Sequence, residues 1–460
     1  MLPRFFLCHL IFTLLAKFNH STNWMEIQRE RSSSCASVNI EHPQGSSLLV
    51  TSMKNRLRSL APVSSERCIY RVPKRLRDVN EKAYTPRLVS IGPLHHGRPG
   101  LGAMEEHKWR HLQNFLQQTK VKLDDLVKFI KDREKRARNC YAETIELTSD
   151  EFVQIITVDA AFTIDILLGR VFPHLTCEIE CVIDRSGLVF DIYRDMLLIE
   201  NQLPYFILGD VLDLAKSRAA SGSSQWPSLL NIIHAYFNSF AQLDHDFNTM
   251  KSSEVRHFVD FLRLCHRPFR QKQPLRRRLV FDGTKSLTEL HEAGVKFKVA
   301  STKHLLDLQF IDGILEIPHI RVSEMTEAFF RNLIAFEQCH CKVSDISDYI
   351  VIMDILINTA HDVELLVKCG IMKNMLANNL EAAMLFNNLA KEVLFDSNVF
   401  SYSLLCEDLN DYCKVRWHKW QAILKHNYFN NPWAVISVTA AVILLLLTFV
   451  QTLCSVIQIS

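Results

Sequence analysis

Residues Thr148 to Leu168 read TSDEFVQIITVDAAFTIDILL, and this stretch decides the fold. Thr148 and Glu151 have the spacing of a capping box, in which two side chains satisfy free N–H groups at a helix N-terminus. The residues that follow are apolar on most sides of a helix, which is typical of a helix buried all round. We therefore predict a helix that begins at Thr148 and lies at the centre of a hydrophobic core.

Two amphipathic helices precede this stretch. Prolines at positions 73, 86, 93 and 99 interrupt the chain before Leu101 and exclude long helices there. Beyond them, apolar residues recur at helical spacing, first around Trp109 and then from about Asp124. The predicted core-facing residues are Trp109, Leu112, Phe115 and Leu116 in the first helix and Leu126, Val127 and Ile130 in the second.

A short β-region follows in the second half of the chain. Val295, Phe297 and Val299 alternate with lysines, which is the pattern of a half-buried strand. Asp312-Gly313 stands between two apolar runs, and this pair strongly favours a β-hairpin. The predicted fold class is therefore mostly α with a small antiparallel β-sheet, an α+β protein.

Two further helices have both a start and a stop signal. A Ser or Thr followed three positions later by an acidic residue begins each, and a glycine can end each. The residues concerned are Ser286, Glu289 and Gly294 for the first helix and Thr359, Asp362 and Gly370 for the second.

The C-terminal stretch Trp433 to Ile457, WAVISVTAAVILLLLTFVQTLCSVI, predicts a transmembrane helix. No charged residue occurs between Asn427 and Ser460. A helix needs roughly 20 apolar residues to cross the hydrocarbon core of a bilayer, and this run supplies them. The residues expected to anchor the protein in the membrane are Trp433, Leu444, Leu445, Leu446, Leu447 and Phe449.

The basic residues around this segment predict its orientation. Lys414, Arg416, Lys419 and Lys425 precede it, and no Lys or Arg follows it. Positive charge near a membrane helix stays on the cytoplasmic side. We therefore expect a single-pass protein, in the plasma membrane by our interpretation, with three regions: an N-terminal extension (1–67), a cytoplasmic helical body (68–426) and the anchor (427–460).

The N-terminus allows a second topology. Phe5 to Ala16 read FFLCHLIFTLLA, which has the length of the apolar region of a signal peptide. The residues after Ala16 do not form a small-residue cleavage site, so we interpret 1–67 as an extension that is first hydrophobic and then Ser-rich and flexible. If the segment were a working signal peptide, the body would be extracellular.

Charge and cysteine content narrow the class of partner. A net charge of +3 is too small to favour nucleic acid as the main partner, although Arg276 to Arg278 lie in a basic segment that would bind it in a salt-dependent way. The 13 cysteines include no CxxC pair, and they fit reduced thiols in a cytosolic body. We expect no nucleic-acid partner, and the oligomeric state has no signal in the sequence.

Four polar residues stand in apolar surroundings. Asp159 lies on a buried face of the central helix, and Glu200, Asn201 and Gln202 separate the apolar runs LLI and LPYFIL. Buried polar groups must be paired, because an isolated carboxylate in an apolar interior costs several kcal/mol. We predict a structural polar network. The alternative is a hydrolase-like enzyme in which Asp159 and Glu200 act as acid and base.

Metal and cofactor signatures are weak or missing. His95 and His96 are neighbours in a turn and point to opposite sides, and Cys339-His340-Cys341 has a spacing that suits no common zinc geometry. The chain contains no GxSxG, P-loop, HExxH or GxGxxG before a helix. We therefore predict no metal, no cofactor and no catalytic residues.

The order of short motifs along the chain resembles a plant family called domain of unknown function 247, also named uncharacterised protein family 0481. The resemblance runs from about Cys68 to the C-terminus. The motifs that carry it are SIGPLHHG (Ser90 to Gly97), EEHKWRHL, LLIENQLPYFIL (Leu197 to Leu208), TELHEAGVKF, FRNLIAFEQCH (Phe330 to His340), DILINTAHDVELL, RWHKWQAIL and YFNNPWAVIS.

This resemblance implies a plant protein with one C-terminal membrane helix and no established enzymatic activity. Some members of the family are associated with pollen–stigma recognition in grass self-incompatibility. The chain departs from the family pattern in its hydrophobic N-terminus. It also has Asp159-Ala160-Ala161-Phe162 where the family usually shows a Gly-Cys pair, which weakens any role for that cysteine here.

Together these observations predict a membrane-anchored plant protein whose helical body binds an unidentified protein partner in recognition or signalling. No catalytic activity is expected. The hydrolase-like enzyme remains the alternative hypothesis.

Overall fold

The structure is a computed structural model. It describes residues 48–59, 64–172, 187–218, 226–241, 243, 250–267, 281, 283–302, 304–414, 436–437, 440–441, 443–448 and 450–451. The chain divides into two units, Met1–Val63 and Ser64–Ser460. In the first unit, helix α1 (Leu48–Ser59) carries exposed side chains and lies in the stretch that we expected to be flexible.

The second unit is mostly helical, as predicted. Short 3-10 turns at Glu81–Tyr84 and Ser252–Glu254 lie between some of its helices. The α-helices in chain order are α2 (Lys74–Val79), α3 (Ala103–Thr119), α4 (Leu123–Lys131), α5 (Glu134–Asn139), α6 (Ser149–Val171), α7 (Leu188–Met196), α8 (Tyr205–Arg218), α9 (Leu229–Ala241), α10 (Phe258–His266), α11 (Leu287–Glu292), α12 (Glu324–His340), α13 (Asp345–Leu356), α14 (Ala360–Lys368), α15 (Asn379–Leu389) and α16 (Ser403–Lys414).

Helix α6 is the centre of the core. The Glu151 backbone N–H donates to Thr148 Oγ1, and the Thr148 N–H donates to Glu151 Oε2 at 2.9 Å, so the predicted capping box is confirmed. Phe152, Ile156 and Phe162 are fully buried, and helices α3, α4, α8 and α9 pack around them. The all-round apolar pattern therefore correctly predicted a central helix.

Within the described residues, α6 is the one helix that is long and apolar enough to cross a membrane. The protein itself buries 83% of the apolar window of α6. Its hydrophobicity is therefore accounted for by packing against neighbouring helices.

Three predicted core-facing positions turn outward. Trp109 is 45% exposed, Val127 is 37% exposed and Val299 is 42% exposed. Each lies on the same helix or strand as buried residues that were predicted correctly, such as Leu112 and Ile130. Spacing alone predicted the elements but misjudged the limits of their buried faces.

The small sheet is mixed, which corrects the prediction of an antiparallel one. Its strands are β1 (Lys296–Val299), β2 (Gln309–Ile311) and β3 (Ile314–Ile317), in the order β1-β3-β2. β2 and β3 pair antiparallel across the predicted Asp312-Gly313 turn, but β1 runs parallel to β3. The hairpin is thus confirmed, and the longer connection from β1 through β2 lets β1 join in the other direction.

A second pair of strands was not predicted. β4 (Ile320–Val322) pairs parallel with β5 (Met372–Asn374). Parallel neighbours need a long connection, and here helices α12 to α14 provide it. The capping signals that begin α11 and α14 are both confirmed, and Gly294 and Gly370 follow these helices with positive φ.

The C-terminal stretch is described in part. Residues 436–437, 440–441, 443–448 and 450–451 are helical. Leu444, Leu445, Leu446 and Leu447 are 60–70% exposed. Several sequence predictions concern residues outside the described ones: Trp433, Phe449, Phe5 to Ala16, and Arg276 to Arg278.

The β2–β3 turn makes a prediction about stability. Gly313 has φ +76, and a Cβ atom there would lie 2.6 Å from the Tyr412 hydroxyl oxygen. We expect Gly313→Ala to destabilise the full chain by about 2–3 kcal/mol in thermal unfolding, from left-handed strain plus overpacking.

Gly370→Ala is the matched control, because Gly370 has φ +71 with nothing within 4 Å of the added Cβ. It should cost about 1–2 kcal/mol, which is the strain alone. Adding Tyr412→Ala should reduce the cost of Gly313→Ala. Equal costs for the two glycine changes would contradict the proposed contact.

Candidate functional site: a buried polar network

The irregular segment Thr85 to Gly92 runs through the interior without a strand partner. Pro86 and the adjoining Pro93 exclude a helix, and Val89 to Gly92 are buried. Buried backbone N–H and C=O groups need hydrogen-bond partners. In this segment, side chains from α6, from α7 and from the residues just after α7 supply many of them.

Asp195, in α7, binds three consecutive backbone amides. The N–H groups of Arg87, Leu88 and Val89 donate to its carboxylate at 3.0, 2.7 and 3.0 Å. Arg194 Nη1 donates to Asp195 Oδ1 at 3.1 Å. This arrangement resembles a helix N-cap, but the amides belong to an irregular segment.

Asn201 continues the series. Its Oδ1 accepts from the Ile91 N–H at 2.7 Å, and its Nδ2 donates to the carbonyls of Val89 and Asp195, each at 3.0 Å. A side-chain amide has both a donor and an acceptor. Asn201 can therefore bind a backbone N–H and backbone carbonyls at the same time, which neither an ionised Asp nor a Leu side chain could do.

Gln202 connects the residues that follow α7 to α10. Its Nε2 donates to the carbonyls of Met196 and Leu198 at 2.7 and 2.9 Å, and its Oε1 accepts from the Phe258 N–H at 3.0 Å. All of these groups are buried. The amide side chain thus links the end of α7 to the start of α10.

Asp159 binds the end of the irregular segment together with Lys108. The Gly92 N–H donates to Asp159 Oδ2 at 2.7 Å, and Lys108 Nζ lies 2.6 Å from Oδ1. Lys108 Nζ also donates to the Ser90 carbonyl at 3.0 Å and lies 2.8 Å from Glu105 Oε1. The ammonium group therefore has three acceptors for its three protons.

Lys108 is 1% exposed. Burial by itself would lower the pKa of Lys108, but the carboxylates of Asp159 and Glu105 together outweigh burial and raise it. Burial also raises the pKa of Asp159, although Lys108 and the Gly92 N–H oppose this, and the 2.6 Å contact between the two side chains is the evidence for an ion pair. A buried ion pair of this kind holds two helices together only while both members are present.

Glu200 gathers donors from the segment before α3. The Val72 N–H donates to Oε1 at 2.6 Å, Arg77 Nη2 binds the same oxygen, and Arg71 Nη1 lies 3.4 Å from Oε2. His95 Nε2 lies 3.1 Å from Oε2. Burial would raise the pKa of Glu200, but His95, Val72 and Arg77 together lower it to about 2.

Gly92 is required where the segment passes Gln202. Its φ is +75, and a Cβ atom would lie 2.8 Å from the Gln202 carbonyl oxygen and 3.0 Å from the Tyr141 hydroxyl. Tyr141 donates to that carbonyl at 3.1 Å. The close approach leaves no room for a side chain.

The four polar residues singled out in the sequence, Asp159, Glu200, Asn201 and Gln202, all lie in this network. The partners Lys108, Asp195 and Arg194 were missed. Lys108 occupies a core-facing position of α3, between the buried Met104 and Leu112, four residues from each. That spacing was a usable signal, but the helical pattern was interpreted with Trp109 on the core face.

A related pair joins α3 and α6 nearby. His111 Nδ1 lies 2.6 Å from Asp165 Oδ2, and the imidazole meets the Phe162 ring edge-on at 5.2 Å. Both polar side chains are buried. The two helices therefore share polar contacts at two levels within an apolar interface.

The geometry offers little for acid–base chemistry. Asp159 and Glu200 share no hydrogen-bond donor among the described residues, and backbone amides and cations occupy their oxygens. Acid–base catalysis needs a group that can reach a substrate proton. The network instead uses its carboxylates to hold the chain.

The two sequence motifs considered for metal binding, His95-His96 and Cys339-His340-Cys341, also engage in local contacts. His95 faces Glu200 whereas His96 is exposed, and His340 Nδ1 lies 2.9 Å from the Tyr70 hydroxyl while its ring stacks on Phe336. Within the part of the chain that the structure describes, no three His, Cys, Asp or Glu side chains form a group able to hold a metal ion.

Glu337 in α12 repeats the carboxylate motif elsewhere. The backbone N–H groups of Ile346 and Ser347 at the start of α13 donate to it at 3.0 and 2.9 Å, and Ser347 Oγ lies at 3.0 Å. Burial outweighs these hydrogen bonds and raises the pKa of Glu337 to about 7.

Fold and network together define a mostly helical α+β protein whose interior is organised by carboxylates that bind main-chain amides. A family model described as a plant protein of unknown function, DUF247, matches residues 69–447. The chain belongs to this family.

Two curated relatives come from Arabidopsis thaliana, one named "UPF0481 protein At3g47200" and the other "Putative UPF0481 protein At3g02645". One is 28% identical over 414 residues, covering 84% of this chain and 85% of the relative. The other is 25% identical over 481 residues, covering 83% of this chain and 89% of the relative. No solved structure matches the chain.

The Lys108–Asp159 pair gives a direct test of the network. Lys108→Met leaves the Asp159 carboxylate buried without its cation, so we expect a loss of about 3–5 kcal/mol in the free energy of unfolding. The double variant Lys108→Met/Asp159→Asn should recover much of that loss, because the uncompensated charge is gone.

The control for this pair is Lys74→Met, since Lys74 pairs with Asp78 in the open, with side chains 86% and 57% exposed. It should change stability by less than about 1 kcal/mol. A Lys108 variant as stable as the Lys74 variant would contradict a structural role for the pair.

Glu200 and Glu337, whose pKa values are shifted in opposite directions, predict opposite pH dependence. The pKa of Glu200 is lowered from 4.5 to about 2, so its contribution is present above pH 4.5 and is lost as pH falls towards 2. The pKa of Glu337 is raised to about 7, so its contribution is full below pH 4.5 and is lost as pH rises through 7.

Thermal unfolding between pH 3 and 8 checks both. The stability difference between wild type and Glu200→Gln should shrink as the solution is acidified. As the solution is acidified from pH 8 to pH 3, the stability of wild type relative to Glu337→Gln should increase. The same direction for both residues would show that one assignment is wrong.

Proposed function

We propose that this plant protein is a membrane-anchored interaction component that acts in recognition or signalling without catalysis. In this proposal one C-terminal helix crosses the plasma membrane, and the body binds a protein partner on the cytoplasmic side. The single observation that carries the anchor is the run of exposed leucines, Leu444 to Leu447, in helical residues near the C-terminus.

Exposure of these leucines is costly in water. Burying apolar surface is worth roughly 25 cal/mol per Å², and four adjacent leucines leave a large apolar surface uncovered. The sequence around them has no charge from Asn427 to Ser460. A lipid bilayer is the surrounding that matches an apolar helix exposed on all sides.

The charge distribution supports the cytoplasmic orientation. Lys414, Arg416, Lys419 and Lys425 all lie on the N-terminal side of the apolar run. Positive charges near a span remain in the cytoplasm. The signal-peptide alternative would place these same charges on the opposite side.

The polar network supports interaction over catalysis. Its carboxylates bind main-chain amides and internal cations, so they stabilise the shape of the body. The hydrolase-like alternative needs Asp159 or Glu200 to exchange protons with a substrate. With a pKa of about 2, Glu200 is a poor proton acceptor near neutral pH. Burial raises the pKa of Asp159, but this side chain is 0% exposed, and Lys108 and the Gly92 N–H occupy its two oxygens.

The body also presents apolar side chains for a partner. Leu380 and Met384 lie one turn apart on α15 and are 56% and 52% exposed. Residues four apart share a face of a helix. Two adjacent exposed apolar residues give a partner protein an apolar area to pack against.

Membrane extraction tests the anchor. The full chain should stay in the pellet after alkaline carbonate treatment, and a variant lacking residues 427–460 should be released. The double change Leu445→Arg/Leu446→Arg should also weaken insertion, since each arginine at the centre of a span costs about 2.5–3.5 kcal/mol. Release of the intact wild type by carbonate would refute the anchor.

Glycosylation acceptors test the orientation. An acceptor sequence added after Ser460 should be glycosylated, whereas one added in an exposed loop of the body should not. The reverse pattern would favour the extracellular alternative.

Proximity labelling from the anchored body, with Leu380→Glu/Met384→Glu as the matched variant, then tests the partner surface. Unchanged labelling would exclude the α15 face.

A further inference from the structure

Helix α1 (Leu48–Ser59), in the first unit, presents an apolar stripe to solvent. At 3.6 residues per turn, residues four apart lie on the same face of a helix. Leu49, Met53 and Leu57 have this spacing and are 67%, 57% and 66% exposed. Val50, at the edge of the stripe, is 40% exposed. Large apolar side chains therefore lie uncovered along the length of α1.

A helix as short as α1 is not stable by itself. Isolated helices shorter than about 12–15 residues are marginal in water, and most helices in proteins are stabilised by packing of an apolar face. Helix α1 has 12 residues, and each residue from 49 to 58 is exposed. We therefore expect α1 to need a surface that covers its apolar stripe.

The charges of α1 indicate the chemistry of this surface. Its charged residues are Lys54, Arg56 and Arg58, all of them basic, and no Asp or Glu occurs between Glu41 and Glu66. In helical projection Lys54 and Arg56 border the apolar stripe on its two sides, and Arg58 lies on the polar face. Basic side chains at the border of an apolar face can extend to charged headgroups while that face is buried.

The proposed anchor favours a bilayer over an acidic protein surface. It holds the chain at the membrane with its body on the cytoplasmic side, where the leaflet contains anionic lipids. Tethering raises the effective concentration of a binding segment, so that a helix with a weak affinity can stay bound. In this respect the inference rests on the proposed anchor and its orientation.

We propose that α1 lies flat on the cytoplasmic surface of the membrane and is a second membrane contact of this protein. Its apolar stripe enters the boundary between headgroups and acyl chains, and its basic residues contact anionic headgroups. At 1.5 Å per residue, α1 is about 18 Å long, which is too short to cross a hydrocarbon core of about 30 Å. Binding therefore requires both the apolar stripe and anionic lipid.

Hydrogen exchange measured by mass spectrometry tests this contact on the full chain. The protein is reconstituted in vesicles of phosphatidylcholine alone or of phosphatidylcholine mixed with phosphatidylserine, and peptides that cover residues 48–59 are followed. Each basic residue near an anionic surface strengthens binding roughly fivefold. The amides of α1 should therefore exchange at least about tenfold more slowly in the vesicles that contain phosphatidylserine.

Two matched variants distinguish the two faces of α1. Leu49→Ser/Leu57→Ser removes most of the apolar stripe and should abolish the protection. Thr51→Ser/Asn55→Ser makes the same number of replacements by serine on the opposite face and should retain it. Circular dichroism establishes that each variant is folded, and the comparison of the two lipid mixtures on wild type decides even if a variant does not fold.

A third variant, Lys54→Gln/Arg58→Gln, keeps the apolar stripe and should lose most of the difference between the two lipid mixtures. Equal exchange of wild-type α1 in both mixtures would overturn the proposal, and it is the result expected if α1 packs against a protein surface instead. Equal protection of wild type and Leu49→Ser/Leu57→Ser would also overturn it. Flotation of the full chain with phosphatidylcholine vesicles reports on the anchor separately, so that failure of the anchor and failure of the α1 contact give different results.

Discussion

The structure depends on buried carboxylates that bind the main chain of an irregular segment. Between Pro86 and Pro93 the chain can form no helix, yet it passes through the core. Asp195, Asn201 and Asp159 therefore supply acceptors to five of its amides, those of Arg87, Leu88, Val89, Ile91 and Gly92. Without these side chains the segment would leave polar groups unpaired in an apolar interior, which costs about 1–3 kcal/mol each.

Competition between burial and hydrogen bonding sets the charge of each carboxylate. At Glu200 the hydrogen-bond donors outweigh burial, because a backbone amide, His95 and Arg77 hold the pKa near 2. At Glu337 burial outweighs three hydrogen bonds donated to the carboxylate, and the pKa rises to about 7. The difference lies in the cations, since Glu200 has arginines beside it and Asp345 near Glu337 adds a like charge.

Local signals in the sequence predicted much of the fold. The capping residues Thr148, Ser286 and Thr359 begin helices as expected, and Asp312-Gly313 forms the hairpin. Prediction was weaker for side-chain direction. Lys108 takes a core position although a charged residue is not expected there, because the Asp159 carboxylate on another helix compensates its charge. Trp109, an apolar residue expected in the core, turns outward. Burial of a charge depends on a partner that spacing cannot reveal.

The sequence alone determined the helical class, the central helix and the hairpin, because each depends on residues close together in the chain. It also determined the family resemblance, because that depends on the order of motifs along the chain. Tertiary structure decided the rest. Asp195 meets Val89 across 106 positions, and the mixed sheet forms only when β1 packs beside β3. The physical reason is that hydrogen-bond pairing and strand pairing are set by neighbours in space, whereas capping, turns and periodicity are set by neighbours in sequence.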